Sequence, residues 1–83
     1  MVLSVGNKCY ISSSKIIRIS PIDAESIKLI EDAERNGQVF DICEGKARRS
    51  VIVIKAIRGD YVYISPIWPG VLRTRLNKAT SKY

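Results

Sequence analysis

Glu44-Gly45-Lys46-Ala47-Arg48-Arg49, running straight into Ser50-Val51-Ile52-Val53-Ile54, is the stretch that organises this chain. Gly45 supplies a tight reversal, three cations crowd within four residues, and the β-branched run that follows demands burial. A buried strand is a rigid handle, so cations at its entrance are held out on the rim of a sheet. Solvating turns usually mix Asp, Asn and Gly rather than clustering cations, so Lys46, Arg48 and Arg49 point to an anionic partner. Nucleic-acid phosphate is the first candidate, because neutralising it with Lys and Arg releases counterions and drives association. Arg adds a forked geometry matched to phosphate oxygens or guanine edges.

The flanks of this stretch set the architecture. Upstream, Val39 to Cys43 reads as a strand, so the basic segment is a turn between two strands, the second running from Arg48 to Ala56. Downstream, Arg58-Gly59-Asp60 reads as a hairpin turn. Residues 60–65 then alternate Tyr61 and Tyr63 with Val62 and Ile64 at the period of a half-buried strand. Pro66 and Pro69 end it, and residues 68–79 read as a second, shorter helix bearing Arg73, Arg75 and Lys78. Toward the N-terminus, residues 2–5, 9–11 and 15–19 read as short strands, with a turn at Gly6-Asn7 and a polar loop at Ser12-Ser13-Ser14.

Between residues 23 and 36 the spacing turns helical. Ile27, Ile30 and Ala33 recur at three-residue intervals with Leu29 beside them, and charged residues fill the rest. Ser20 and Asp23 compete as the N-terminal cap, and Asn36-Gly37 is the stop signal. The order is therefore β-β-β-α-β-β-β-α. That order implies the α+β class: a small, mostly antiparallel sheet with one main helix and a shorter C-terminal one. It forms a single domain over residues 1–83, with a core at about 2–78 and a frayed C-terminal tail.

Composition narrows the function classes. The 83 residues are 46% hydrophobic and 27% charged, ordinary for one globular domain. So small a domain buries only about 60–65% of the surface its unfolded chain exposes, and self-association is the remaining way to bury more, so a homo-oligomer is expected. There is no His, and Cys9 and Cys43 stand apart, which argues against a metal site. Reduced core cysteines are the preferred reading over a disulfide. No charged leader precedes a long apolar segment, so no membrane association is expected and the location is cytoplasmic. Catalysis has little support: no histidine, no nucleophile elbow and no glycine-rich phosphate loop. The chain reads as a non-enzyme without a cofactor.

Charge is segregated along the chain, whose net value is +6. Residues 1–22 carry Lys8, Lys15 and Arg18 without an acid, residues 23–44 are net acidic, and residues 45–83 carry nine cations against Asp60 alone. Such blocks suggest an acidic face and a basic face. The acidic main helix and the basic C-terminal helix are expected to meet across subunits. Lys15, beside three serines at a strand's mouth, is the second phosphate candidate. Arg18 is expected to pair with an acidic side chain. Tyr61, Tyr63 and Trp68 could stack on bases, but core or interface packing is the preferred reading, and Trp68 is taken as a packing or subunit anchor.

Taken together, Val5-Gly6, Ile11-Ser12, Lys15-Ile16-Ile17, Ile30-Glu31-Asp32-Ala33, Gly37, Asp41 and Gly45 to Val51 resemble the RemA family, small bacterial regulators of extracellular-matrix (biofilm) genes. The resemblance spans about residues 5–76. It implies a nucleoid-associated transcriptional regulator that forms a ring and wraps or bends double-stranded DNA, with DNA binding at Lys15, Lys46, Arg48 and Arg49. The chain departs from the family pattern: Lys15 and Lys46 stand for Arg, Ala47 for Arg, and Arg48 for Thr. The alternative reading is a non-catalytic protein-interaction module, or an RNA binder, using the same basic edge.

Overall fold

The computed structural model describes residues 2–80. The elements follow the order read from the sequence: β1 (Val2–Gly6), β2 (Cys9–Ser12), a single 3-10 turn (Ser13–Lys15), β3 (Ile16–Pro21), α1 (Ala24–Arg35), β4 (Val39–Asp41), β5 (Ser50–Ala56), β6 (Gly59–Ser65) and α2 (Pro69–Thr80). The fold is α+β, as expected. Lys82 and the expected frayed tail lie outside the described residues.

Two sheets form. β1 and β2 make an antiparallel hairpin, and the other four strands lie in the order β3-β5-β6-β4. β5 is antiparallel to both neighbours, whereas β4 runs parallel to β6. The basic segment lies between two strands, as read, but those strands do not form a hairpin. β4 and β5 are not neighbours, so residues 42–49 cross over the end of β6.

Period-two alternation on β5 divides the core in two. Val51 and Val53, with Val62 and Ile64 of β6, face Ile30 and Ala33 of α1. Ile52, with Ile19, faces Leu3, Val5 and Ile11 of the hairpin and Leu72 of α2. The large sheet is thus the middle of three layers, and β5 is covered on both faces, which is why it reads as an unbroken β-branched run.

The α1 cap is settled in favour of Asp23. Its carboxylate accepts from the Ser26 backbone N–H at 2.9 Å, and Ser26 Oγ accepts from the Asp23 N–H at 2.7 Å, a reciprocal capping box. The helix buries Ser26, Ile30 and Ala33, an i, i+4, i+7 stripe. Ile27, expected on that face, instead points outward at 46% exposure. At the hairpin turn, Gly6 adopts φ +111° and lies against Pro66, where a Cβ would sit 3.2 Å from Cδ. The hairpin is latched to the sheet because the Asn7 side-chain amide donates to the Ile42 carbonyl. Neither cysteine is in a disulfide, as the sequence suggested.

Candidate nucleic-acid interface

The basic segment is built as a braced bridge. At one end the Ile42 N–H donates to the Ile64 carbonyl at 3.0 Å, and at the other the Arg49 N–H donates to the Ser65 carbonyl at 2.9 Å. Both anchors lie on β6, so the segment straddles that strand. Between them a β-turn closes from Lys46 N–H to Cys43 carbonyl at 3.0 Å. Its central residues are Glu44 at φ +50° and Gly45 at φ +86°. Gly45 has open space around it, so its glycine is needed for backbone freedom alone. Glu44, Gly45, Lys46, Ala47 and Arg48 are exposed.

Each cation has a different environment. Lys46 is exposed at the turn and forms no ion pair among the described residues. Arg48 Nη2 meets Asp41 Oδ2 at 2.8 Å, and both side chains remain substantially accessible. The Asp41 carboxylate also accepts from the Cys43 backbone N–H at 3.0 Å. That backbone donor is the main reason its carboxyl is held below the usual value; the Cys43 and Arg48 side chains add to the effect. Arg49 lays its guanidinium over the Trp68 ring, 3.9 Å from the centroid. Trp68 is 57% exposed, so it is a flat support for Arg49 rather than a core residue.

The support beneath is a pair of buried serines. Ser65 Oγ donates to the Val5 carbonyl at 2.6 Å and accepts from the Ile67 N–H at 3.1 Å. Ser50 Oγ donates to the Ile67 carbonyl at 2.8 Å. These bonds fix the bend after β6 and so fix Trp68. Cys43 is buried within the bridge, its Sγ 3.6 Å from the Ile64 carbonyl. Burial, with smaller effects from Asp41, pushes its thiol up to about 11.

The structure brings Lys46, Arg48 and Arg49 together but places Lys15 elsewhere. Ser50 pairs with Pro21, whereas Ile54 pairs with Ile16. Lys15 therefore lies toward the far end of β5, roughly 15–20 Å away at about 3.4 Å per residue. Arg18 bonds Glu25 at 3.4 Å, as its surroundings suggested. Arg73 and Arg75 of α2 donate to the carbonyls of Ile19 and Ser4 at 3.0 and 2.9 Å. Two of the three α2 cations expected to meet an acidic helix of another subunit thus tie the helix to its own chain. Sequence reasoning missed Trp68 as the Arg49 support and Asp41 as the Arg48 partner. The signal for the first was the Ser-Pro bend just before Trp68.

A short α+β domain with a rigidly mounted basic bridge is the class that the fold and this site define. A family profile described as "RemA-like: Extracellular matrix regulatory protein A-like" matches residues 2–76. A "Putative regulatory protein" of Geobacillus sp. strain WCH70 is 31% identical over 75 residues, covering 89% of this chain and 83% of that protein. A protein so described from Finegoldia magna is 28% identical over 81 residues, covering 96% and 94%. One from Coprothermobacter proteolyticus is 34% identical over 77 residues, covering 92% and 70%. The chain belongs to the RemA-like family, a family of regulatory proteins. Among the described residues, no helix is long and apolar enough to cross a membrane.

Proposed function

We propose that this protein is a homo-oligomeric, DNA-binding transcriptional regulator of extracellular-matrix genes. It grips the backbone of double-stranded DNA through Lys46, Arg48 and Arg49, and acts in the cytoplasm on the nucleoid. The observation that carries this reading is the bridge itself: three cations within four residues, on a loop whose two ends are hydrogen-bonded to β6. Preorganised donors lose little freedom on meeting a phosphate. Lys15 supplies a separate contact, roughly 15–20 Å along the duplex, or about five base pairs.

One subunit with three or four phosphate contacts binds weakly, in the range of about 10⁻⁴–10⁻⁶ M typical of non-specific association. Repetition around a closed ring makes later contacts intramolecular and raises avidity about 10²–10⁴-fold. Large exposed side chains such as Val2, Tyr10, Ile17, Ile27 and Val71 favour such self-association. The names of the Geobacillus and Finegoldia relatives agree with a regulatory role.

The test combines light scattering with binding to a random 30-base-pair duplex. The expected result is an oligomer whose affinity falls steeply from 50 to 200 mM salt, and a Lys46/Arg48/Arg49→Ala variant that folds but no longer binds. A monomer, or no binding at 50 mM salt, refutes the reading and favours a protein-interaction module.

A further inference from the structure

A second constellation runs from the middle of the large sheet to its end opposite the bridge. Phe40 of β4 and Tyr61 and Tyr63 of β6 point to the sheet face that the hairpin and α2 cover, because Phe40 pairs with Tyr63 in register. The covering layer does not reach them fully. Phe40 stays 42% exposed and, with both tyrosines, lines an open groove of about 350 Å³. The three rings are nearly parallel: Phe40 to Tyr61 is 5.6 Å between centroids at 12°, and Phe40 to Tyr63 is 5.0 Å at 28°. Separations of that size mean offset stacking, which leaves part of each ring face open.

Two cations frame the groove, Lys15 from the 3-10 turn and Arg58 from the β5–β6 turn, and among the described residues no carboxylate lines it. Neither cation forms an ion pair among the described residues. The groove therefore offers flat apolar surface at its floor and positive charge on its rim.

We propose that this groove binds single-stranded DNA, its bases continuing the Phe40–Tyr61–Tyr63 stack and its phosphates meeting Lys15 and Arg58. Charge and stacking together select the occupant. The acidic α1 of a second copy would match the cations but carries no aromatic residue for the rings, whereas a single strand brings base faces and anions together. Stacking platforms combined with a positive groove are how proteins hold single strands without sequence preference. A free nucleotide is a poorer fit, because small ligands bind where most of their surface is enclosed. The proposal is independent of the bridge, which lies at the other end of β5.

The experiment measures fluorescence anisotropy of a labelled dT15 strand and of an abasic 15-mer carrying the same phosphates, at 50 mM salt. The variants are Phe40→Leu and Tyr61→Leu, which keep apolar volume and remove the stacking face, with melting temperature and light scattering as controls on fold and assembly. The expected result is dT15 binding at least about fivefold tighter than the abasic strand, with each variant losing at least about fivefold for dT15 and keeping duplex affinity. The Lys46/Arg48/Arg49→Ala variant is expected to retain the difference between dT15 and the abasic strand, which separates this site from the bridge. Equal binding of the two strands, unchanged dT15 affinity in both variants, or loss of self-association in place of strand binding overturns the proposal. A tenfold preference for the RNA strand of the same sequence overturns the assignment to DNA.

Discussion

Asp41→Asn is the sharpest perturbation of the bridge. Asn keeps an oxygen to accept from the Cys43 N–H, a bond now made at 3.0 Å, but it removes the charge that holds Arg48 at 2.8 Å. An exposed ion pair of this kind stabilises by about 0.2–1 kcal/mol. The melting temperature should therefore fall by no more than about 8 °C. Arg48 is already one of the phosphate contacts, so the variant leaves their number, and the slope of log affinity against log salt, unchanged. It removes the cost of parting Arg48 from Asp41, about 0.2–1 kcal/mol, so random duplex binds about 1.4- to 5-fold tighter. Anisotropy across 50–300 mM potassium chloride reads both quantities. A folded Asp41→Asn protein that binds more weakly than wild type, or whose salt slope changes by about 0.9, would refute the role given to Arg48. The Asp41 carboxyl is depressed in the fold, so its contribution is present above the ordinary value of 3.8 and disappears as pH falls through its lowered value.

Three other outcomes are expected. Ser65→Ala leaves the Val5 carbonyl and the Ile67 N–H without their partner, and should lower the unfolding free energy in urea by about 1–3 kcal/mol; an unchanged midpoint would contradict the structural weight given to that hydroxyl. Because Trp68 is the only tryptophan and touches Arg49, its emission should shift on duplex binding and on Arg49→Ala, and a silent tryptophan would show that the bridge does not meet the duplex. With the Cys43 thiol raised from 9.0 to about 11, stability attributable to it is full below pH 9 and declines by about 2–3 kcal/mol toward pH 11, as the unfolded thiol ionises first. Cys43→Val should abolish that part of the decline, and a decline identical in both proteins counts against the shift.

Local chemistry carried much of the fold. The β-branched run at residues 50–54, the Asn36-Gly37 stop and the alternation of Tyr61 to Ile64 each follow from a periodicity or a backbone preference confined to neighbouring residues. Strand pairing is not local in that sense. Nothing within Val39 to Asp41 distinguishes a partner before it from one after it, so the parallel alignment of β4 with β6 was hidden, and with it the crossover path of the bridge. Ile27 shows a similar limit: intervals of three and of four both lie close to a helical turn, and only packing against the sheet chose Ser26, Ile30 and Ala33. The separation of Lys15 from Lys46 depends on the antiparallel register of β3 on β5, again a pairing fact. Phe40 joined Tyr61 and Tyr63 for the same reason.

The bridge rests on its two ends, and its crest at Glu44, Lys46 and Ala47 packs against nothing the core needs. Changes of identity at the crest should thus leave folding intact while altering how firmly an anion is held, whereas removing a residue would pull one abutment off its strand. Spacing is the rigid specification and lettering the adjustable one, so a few point changes could retune the same frame to another polyanion or silence it altogether.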